Sequence, residues 1–326
     1  MVQNDSWFGC GDGTRLFLRR WMPDSRPLAV LHVAHGMAEH SDRYLRLAET
    51  LCESGVEVWA ADMRGHGRTA GADANDPGKG GLLGHCHDVD TFDVVTRDLM
   101  EINTEIRTSR SGVPLFVLGH SWGSFIVQNL MGLGAKGKPA DGWILSGTRG
   151  PGGFRERAAI PVMAMIAALK GKRRGSRLAR ALADGPYAKA FLPSRTPFDW
   201  LSRDDAEVDL YVADPLCGML CSSGFYRDLA RGLRRIHRPE TMKRLPADLP
   251  VYVFGGSCDP VGEMGASPAA LVNAYRSLGI SDMEFVLYPG ARHEPLNETN
   301  REEATANLLA WILRKAGERK PAAMEG

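Results

Sequence analysis

The chain has 326 residues, of which 44% are hydrophobic and 24% charged, and its formal net charge is +1. This length and apolar content suffice for one large α/β core with an insertion, or for two modest domains. The nearly neutral charge gives no field that would attract nucleic acid, so we expect no nucleic-acid partner. The six cysteines are scattered along a long chain, which indicates reduced thiols rather than a disulfide framework.

Neither a signal peptide nor a membrane span is predicted. The N-terminal residues are polar and lack the basic-then-apolar pattern of a secretion signal. The longest nearly apolar run, Ala158–Leu169, is too short to cross a bilayer and contains Pro161. We therefore expect a cytoplasmic protein.

The first half of the chain alternates predicted strands and helices. Two short runs around Gly11-Asp12-Gly13 predict a β-hairpin. The almost continuously apolar run Leu28–Ala34 predicts a strand covered on both faces, and residues 56–61 and 143–147 predict two more. Apolar residues three or four apart predict helices between them, including one over residues 88–107 with Asp88 as its N-cap. This alternation predicts a mostly parallel sheet with helices on both faces.

The alternation stops at residues 151–217, which contain no clear strand. We interpret this segment as a helical cap inserted into a core formed by residues 1–150 and 218–326. After the insertion, strands are predicted at residues 249–255 and 283–288, and helices at residues 224–235, 268–278 and 301–315. Residues 318–326 are predicted to be frayed.

A strand, a sharp turn and a helix start meet at residues 115–130. Four apolar residues precede Gly119-His120-Ser121-Trp122-Gly123, and a helical pattern follows. This Gly-x-Ser-x-Gly arrangement predicts a nucleophile elbow that lifts the Ser121 hydroxyl clear of the sheet. The alternative, an ordinary strand-to-helix turn, remains open on this stretch alone.

A serine hydroxyl is a weak nucleophile that needs a base, and the base needs an orienting acid. Because working groups in α/β sheets follow the carboxyl ends of strands, Asp259 and His293 are the candidates. Asp282 and Glu284 precede the last strand and so belong to its opposite end. The order serine, aspartate, histidine is that of α/β-hydrolases.

Attack by Ser121 on a carbonyl creates a negative oxygen, which needs backbone N–H donors. We predict two donors for this oxyanion hole. One is the N–H of Trp122, at the start of a helix, and the other is the N–H of Met37, in the loop after the first parallel strand. Gly36 would allow the loop to approach closely.

Five blocks together give the chain a clear family resemblance. They are residues 35–44, 62–67, 119–124, 256–261 and 290–294. These blocks resemble the α/β-hydrolase branch of monoacylglycerol lipases and bacterial lysophospholipases. The resemblance implies an α/β-hydrolase fold with an eight-stranded sheet, a cap between the sixth and seventh strands, and hydrolysis of a single-chain fatty acyl ester through an acyl-enzyme. It implies neither metal nor cofactor.

Two departures from the family concern Trp122, where this branch more often has Met, and the cap, which matches no family pattern. Trp122 is expected to reshape the acyl pocket. Acyl transfer, thioester cleavage and amide cleavage by the same residues remain alternatives, as does a non-catalytic binding protein of the same fold. Acyl length, head group and oligomeric state stay open.

Other patterns receive ordinary structural interpretations. His85-Cys86-His87-Asp88 fits no complete zinc site, and Cys217 and Cys221 are interpreted as packed thiols. His35, His66 and His120 are interpreted as packing and loop-bracing residues. Ala158–Leu169 is either a lid helix that meets lipid or a helix packed within the cap. The basic residues from Lys170 to Arg180 favour a solvated face, with peripheral membrane contact as the alternative.

Overall fold

The computed structural model describes residues 1–71, 75–133, 139–152, 154–248 and 250–318. The predicted frayed tail beyond residue 318 lies outside this range. None of the described helices combines the length and apolar character needed to cross a bilayer.

Eight strands form one sheet in the order β1-β2-β4-β3-β5-β6-β7-β8. They are β1 (Val2–Gly9), β2 (Arg15–Met22), β3 (Ala29–Ala34), β4 (Val56–Ala61), β5 (Leu115–His120), β6 (Gly142–Ser146), β7 (Val251–Gly256) and β8 (Met283–Tyr288). β1 pairs antiparallel with β2 and β2 with β4, whereas the remaining pairs are parallel. The predicted fold class, with its N-terminal hairpin and mostly parallel sheet, is confirmed.

Helices cover both faces of the sheet. They are α1 (Leu45–Glu53), α2 (Thr91–Ser109), α3 (Trp122–Leu133), α4 (Phe154–Lys170), α5 (Arg177–Ala183), α6 (Gly185–Lys189), α7 (Asp205–Ala213), α8 (Ser223–Ile236), α9 (Pro239–Met242), α10 (Ala266–Ser277) and α11 (Arg301–Glu318). Successive strand residues enter different apolar clusters: Val117 packs with α2, α3 and α8, whereas Phe116 packs with α1 and α11. The sheet is therefore buried on both sides, as its continuous apolar strands predict.

The start of α2 corrects one prediction. The N-cap is Asp90, whose side chain accepts a hydrogen bond from the Asp93 N–H at 3.1 Å, so the assignment of Asp88 as the cap is wrong. Asp88 instead accepts from the Arg173 guanidinium at 2.6 Å. The sequence has two aspartates near the start of this helix, and it does not show which of them caps the helix and which forms an ion pair with a distant arginine.

Four helices, α4 to α7, lie between β6 and residue 217. One side of α4 is buried through Met163 and Ile166, in the cluster that also contains α8, while Met165 and Leu169 on the same helix are exposed. The helix therefore packs against the protein on one side and presents an apolar face to solvent on the other, and its contact with lipid stays a prediction. The division into a cap of residues 151–217 and a separate core stays a prediction.

Candidate active site

Ser121 lies in a strained turn between β5 and α3. Its φ of 50° is in the left-handed region, which non-glycine residues rarely occupy. The turn is tight because glycines flank it: a Cβ on Gly123 would lie 2.1 Å from the carbonyl oxygen of Ala34, and one on Gly119 would lie 2.5 Å from that of Gly123. Only glycine fits at these two positions, which explains why the elbow needs them.

Hydrogen bonds from neighbouring elements fix the backbone of this turn. The Ser121 N–H donates to the carbonyl of Ser146 at the end of β6, at 2.9 Å. The Ser124 hydroxyl lies 2.6 Å from the Ser121 carbonyl oxygen and 2.8 Å from the Thr148 hydroxyl. The strained conformation is thus held by the adjacent strand end and by the first turn of α3.

Asp259 follows β7 and His293 follows β8, and the two side chains meet. His293 Nδ1 lies 3.0 Å from Asp259 Oδ1, and both residues are buried. The same Asp259 oxygen accepts the Val261 N–H at 2.8 Å, which fixes the carboxylate. With Nδ1–H pointing at the carboxylate, His293 keeps Nε2 as its free acceptor, and that atom has no hydrogen-bond partner within the described structure.

His293 and Ser121 both line one cavity of about 540 Å³. Its walls are largely apolar and come from the loop after β3, from α5 and α6, and from the segments before α7 and before α8; they include Met37, Phe198, Trp200, Leu201, Met219 and Leu220. Charged side chains of Arg177, Arg180 and Asp184 also line the cavity. A largely apolar chamber with a few polar groups is the usual form of a small-molecule site.

The surroundings of His293 set its basicity. Burial lowers the pKa of His293, but the Asp259 carboxylate raises it by charge and hydrogen bonding, and the net pKa lies above the ordinary 6.5. His120, whose ring centroid is 5.0 Å from that of His293, behaves in the opposite way: burial and the neighbouring His293 lower its pKa to about 4. Of these two histidines, His293 is the one poised to accept a proton.

The predicted N–H donors lie beside the elbow. A Cβ on Gly36 would be 3.3 Å from the Ser121 Cβ, so the loop that carries Met37 reaches the serine. Among the described loops and turns, neither the Met37 nor the Trp122 N–H has a hydrogen-bond acceptor. The Gly36 N–H, by contrast, donates to the Glu39 carboxylate. The assignment of the Met37 and Trp122 N–H groups to an oxyanion hole stays a prediction.

A buried ion-pair network that the sequence interpretation missed joins this loop to the histidine. Arg43 donates to both oxygens of Glu294, at 2.8 and 2.6 Å, and to Glu39 at 2.6 Å. Burial raises the pKa of Glu39, but the charges of Arg43, His120 and His35 and the hydrogen bond from the Gly36 N–H together lower it to about 2. The spacing of Glu39 and Arg43 fits a helical ion pair, yet nothing local in the sequence shows that Glu294, beside His293, completes it.

The aromatic residues also differ from expectation. The Trp122 ring stacks on His66 at a centroid distance of 5.2 Å and packs against Phe225, and it is absent from the cavity lining that the structure describes. The expectation that Trp122 reshapes the acyl pocket is therefore not supported. Instead Trp200, which precedes α7, lies 5.1 Å from the His293 ring and lines the cavity.

The remaining candidates have structural roles. Asp282 pairs with Lys315 at 2.9 Å and Glu284 pairs with Arg314, both at the opposite end of β8. His35 braces two loops, because its Nε2 accepts the Met63 N–H at 2.9 Å. Cys217 and Cys221 are buried free thiols, as the sequence predicts, and Cys86 is a third.

Fold and site together define an α/β-hydrolase with a serine at the elbow. Comparison with known proteins agrees: residues 25–300 match the model of the family described as serine aminopeptidase, S33. A monoacylglycerol lipase of Mycolicibacterium smegmatis is 30% identical over 310 residues, covering 94% of this chain and 96% of that protein. A monoglyceride lipase of Rattus norvegicus is 30% identical over 293 residues, covering 86% of this chain and 80% of that protein.

A solved structure gives the same result. A thermostable carboxyl esterase from Bacillus coagulans, in complex with glycerol, superposes with a TM-score of 0.86 at 25% identity, covering 97% of this chain and 99% of that one. The chain belongs to the S33 serine aminopeptidase family of α/β-hydrolases and, within it, to the branch that resembles monoacylglycerol lipases. It is an enzyme, a serine hydrolase of the esterase type.

Proposed function

We propose that the chain hydrolyses monoacylglycerols, with Ser121 as nucleophile, His293 as general base and Asp259 as the orienting acid. The observation that carries this proposal is the 3.0 Å contact between Asp259 and His293, which leaves His293 Nε2 free beside the cavity that Ser121 also lines. The order of these residues along the chain agrees with the fold.

In this mechanism His293 Nε2 takes the hydroxyl proton as Ser121 Oγ attacks the ester carbonyl. The negative charge that forms on the carbonyl oxygen is stabilised by the Met37 and Trp122 N–H groups. His293 then protonates the departing alcohol, leaving an acyl group on Ser121. Water, deprotonated by the same imidazole, releases the fatty acid and restores the serine, while Asp259 holds the imidazole tautomer and stabilises its charge.

The choice of substrate rests on the cavity and on the relatives. The cavity walls are mostly apolar, as a single acyl chain requires, and polar side chains such as Glu39 and Glu294 lie at the end near Ser121. Two relatives are named as lipases of monoacylglycerols or monoglycerides, and the related carboxyl esterase has glycerol bound. These facts favour a glycerol ester over a larger head group.

The test compares wild type with Ser121→Ala on a lipid-ester panel, with the products identified by mass spectrometry. We expect release of free fatty acid and glycerol from monoacylglycerol by the wild type, and a loss of about 10⁶-fold in kcat in Ser121→Ala. Ser109→Ala, at an exposed serine at the end of α2, is the matched control and should keep full activity.

The panel also contains lysophospholipid, thioester and aminoacyl anilide substrates, together with competing alcohols. Faster cleavage of any of these than of monoacylglycerol, or transfer of the acyl group to the alcohol, would assign a different reaction to the same residues. Full activity of Ser121→Ala would remove Ser121 from the mechanism altogether.

The cap supports a further part of the proposal, peripheral contact with a lipid surface. On α4, Met165 is 57% exposed and Leu169, one turn further along, is 80% exposed, so two neighbouring large apolar side chains face solvent together. Lys170 is exposed beside Leu169 and would favour an anionic surface. We further propose action in the reducing cytoplasm, which the six free thiols support.

A further inference from the structure

A cluster of three metal-ligating side chains lies outside the triad. His40 follows the loop that carries Met37, and Asp214 and Cys217 follow α7. One ligand atom from each residue lies within 4.8 Å of the other two, and His40 Nε2 lies 2.7 Å from Asp214 Oδ2. No other group of three such residues meets this criterion in the part of the chain that the structure describes.

We propose that these three side chains bind one Zn²⁺ ion, with His40 Nε2, Asp214 Oδ2 and Cys217 Sγ as ligands. Imidazole nitrogen, carboxylate oxygen and thiolate sulfur are the donor types that zinc takes in proteins. Bond lengths of about 2.0 to 2.3 Å place neighbouring ligand atoms of a tetrahedral zinc about 3.3 to 3.8 Å apart. The 2.7 Å pair must therefore open slightly and the widest pair must close by about 1 Å, which side-chain rotation allows.

The fourth position has access to solvent. A separate cavity of about 360 Å³ is lined by Asp214, Cys217, Tyr211 and Arg43, so a water molecule can reach the ion. His40 and Cys217 are buried, whereas Asp214 is partly exposed. Three protein ligands and one water molecule would together form a four-coordinate zinc shell.

The ligands themselves would balance the charge of the ion. Asp214 would supply one negative charge and the Cys217 thiolate another, which together match a divalent cation. Arg43 lines the same cavity, but it is already paired with Glu39 and Glu294.

Zinc binding would displace one thiol proton and one hydrogen bond. Cys217 loses its thiol proton to solvent as the zinc–sulfur bond forms, and Asp214 binds as the carboxylate. His40 gives up its hydrogen bond to Asp214 and binds through Nε2, with its proton on Nδ1. One proton is released for each ion bound, and no oxidant or reductant is needed.

The ion would connect two regions of the chain. The Ala38 carbonyl already accepts from the Gly218 N–H and the Tyr211 hydroxyl, each at 2.9 Å. Zinc would add a stronger link between the same segments, one residue away from Met37. This inference does not depend on the proposed hydrolysis, because it concerns binding alone.

The experiment titrates metal-free protein with Co²⁺, a spectroscopic substitute for Zn²⁺, and then displaces it with Zn²⁺. We expect one Co²⁺ per chain with near-ultraviolet thiolate-to-cobalt absorption, which disappears when one equivalent of Zn²⁺ is added. Cys217→Ser, a nearly isosteric change, should abolish the thiolate absorption, and Asp214→Asn should weaken binding at least tenfold while keeping a partner for His40.

Cys258→Ser is the matched control, since Cys258 is a half-buried cysteine next to Asp259. It should retain both the absorption and the stoichiometry. The proposal is overturned if the wild type shows no thiolate absorption, or if the absorption survives in Cys217→Ser or disappears in Cys258→Ser. Metal bound at His293 would give no thiolate band and would likewise count against the proposal.

Discussion

The carboxyl end of the parallel sheet and the segment over residues 151–217 differ in how firmly they hold their side chains. At the carboxyl end of the sheet, Ser121, Asp259 and His293 lie on short loops that parallel strands place side by side, and Asp259 and His293 are buried. The helices between β6 and residue 217 leave large apolar residues such as Leu169 and Leu182 exposed. Chemistry requires fixed geometry, whereas entry of a lipid requires a surface that can accept apolar groups.

The first prediction tests whether Asp259, at the carboxyl end of the sheet, orients the imidazole of His293. Asp259→Asn should lower kcat about 10⁴-fold with the fold intact, because an amide stabilises the wrong imidazole tautomer. Hydrolysis of a short p-nitrophenyl ester measures the effect. The matched change Asp282→Asn, at the other end of β8, should leave kcat within about twofold. Equal losses in both variants would contradict the assignment.

The second prediction concerns the buried ion pairs of Arg43 with Glu39 and Glu294, at the same end of the sheet. Arg43→Met leaves Glu39 and Glu294 buried without their cation, so the free energy of unfolding should fall by about 3–5 kcal/mol. Arg46→Met provides the control, since Arg46 is half exposed and pairs with Glu207, and it should cost at most about 1 kcal/mol. Urea denaturation followed by tryptophan fluorescence measures both. A smaller loss for Arg43 than for Arg46 would show that the network does not stabilise the site.

The third prediction tests the exposed face of α4. Replacing Met165 and Leu169 together by Ser should weaken binding to anionic vesicles at least tenfold, because burial of even one large apolar side chain is worth about 1.5–3 kcal/mol and about 1.4 kcal/mol is a factor of ten. Vesicle sedimentation measures the change. Hydrolysis of a water-soluble ester should stay within about twofold. Unchanged vesicle binding would show that this face packs against something other than lipid.

The smallest effect expected is in the pH dependence. Because the Asp259 carboxylate raises the pKa of His293, the acid limb of kcat/KM should have its midpoint above pH 6.5. Below that pKa the imidazole is protonated and cannot accept the Ser121 proton, so activity falls as the pH falls. In Asp259→Asn the residual activity should show a lower midpoint, since the charge and hydrogen bond of Asp259 are lost and only the smaller effects of Glu294 and Glu39 then oppose burial. A pH profile of both proteins tests the sign, and a midpoint at or below 6.5 in the wild type would contradict it.

The sequence alone determined the fold and the order of its elements, because parallel strands buried on both faces leave a continuous apolar signature. It also pointed to Ser121, because glycine flanks it at Gly119 and Gly123. A Cβ at either position would lie within 2.5 Å of a backbone carbonyl oxygen, so the tight turn needs glycine there. Asp259 and His293 could be proposed because the loops that follow adjacent parallel strands lie at the same end of the sheet, which brings their side chains close together.

Only the tertiary structure decided which distant side chains meet. The pairing of Arg43 with Glu294 spans 251 positions, and that of His40 with Asp214 spans 174. The ion pair of Asp88 with Arg173 and the approach of Trp200 to His293 are similar cases. Periodicity and capping rules act over a few residues, so they fix strands, helices and turns. Contacts between elements depend on how the helices pack on the sheet, and no local pattern records them.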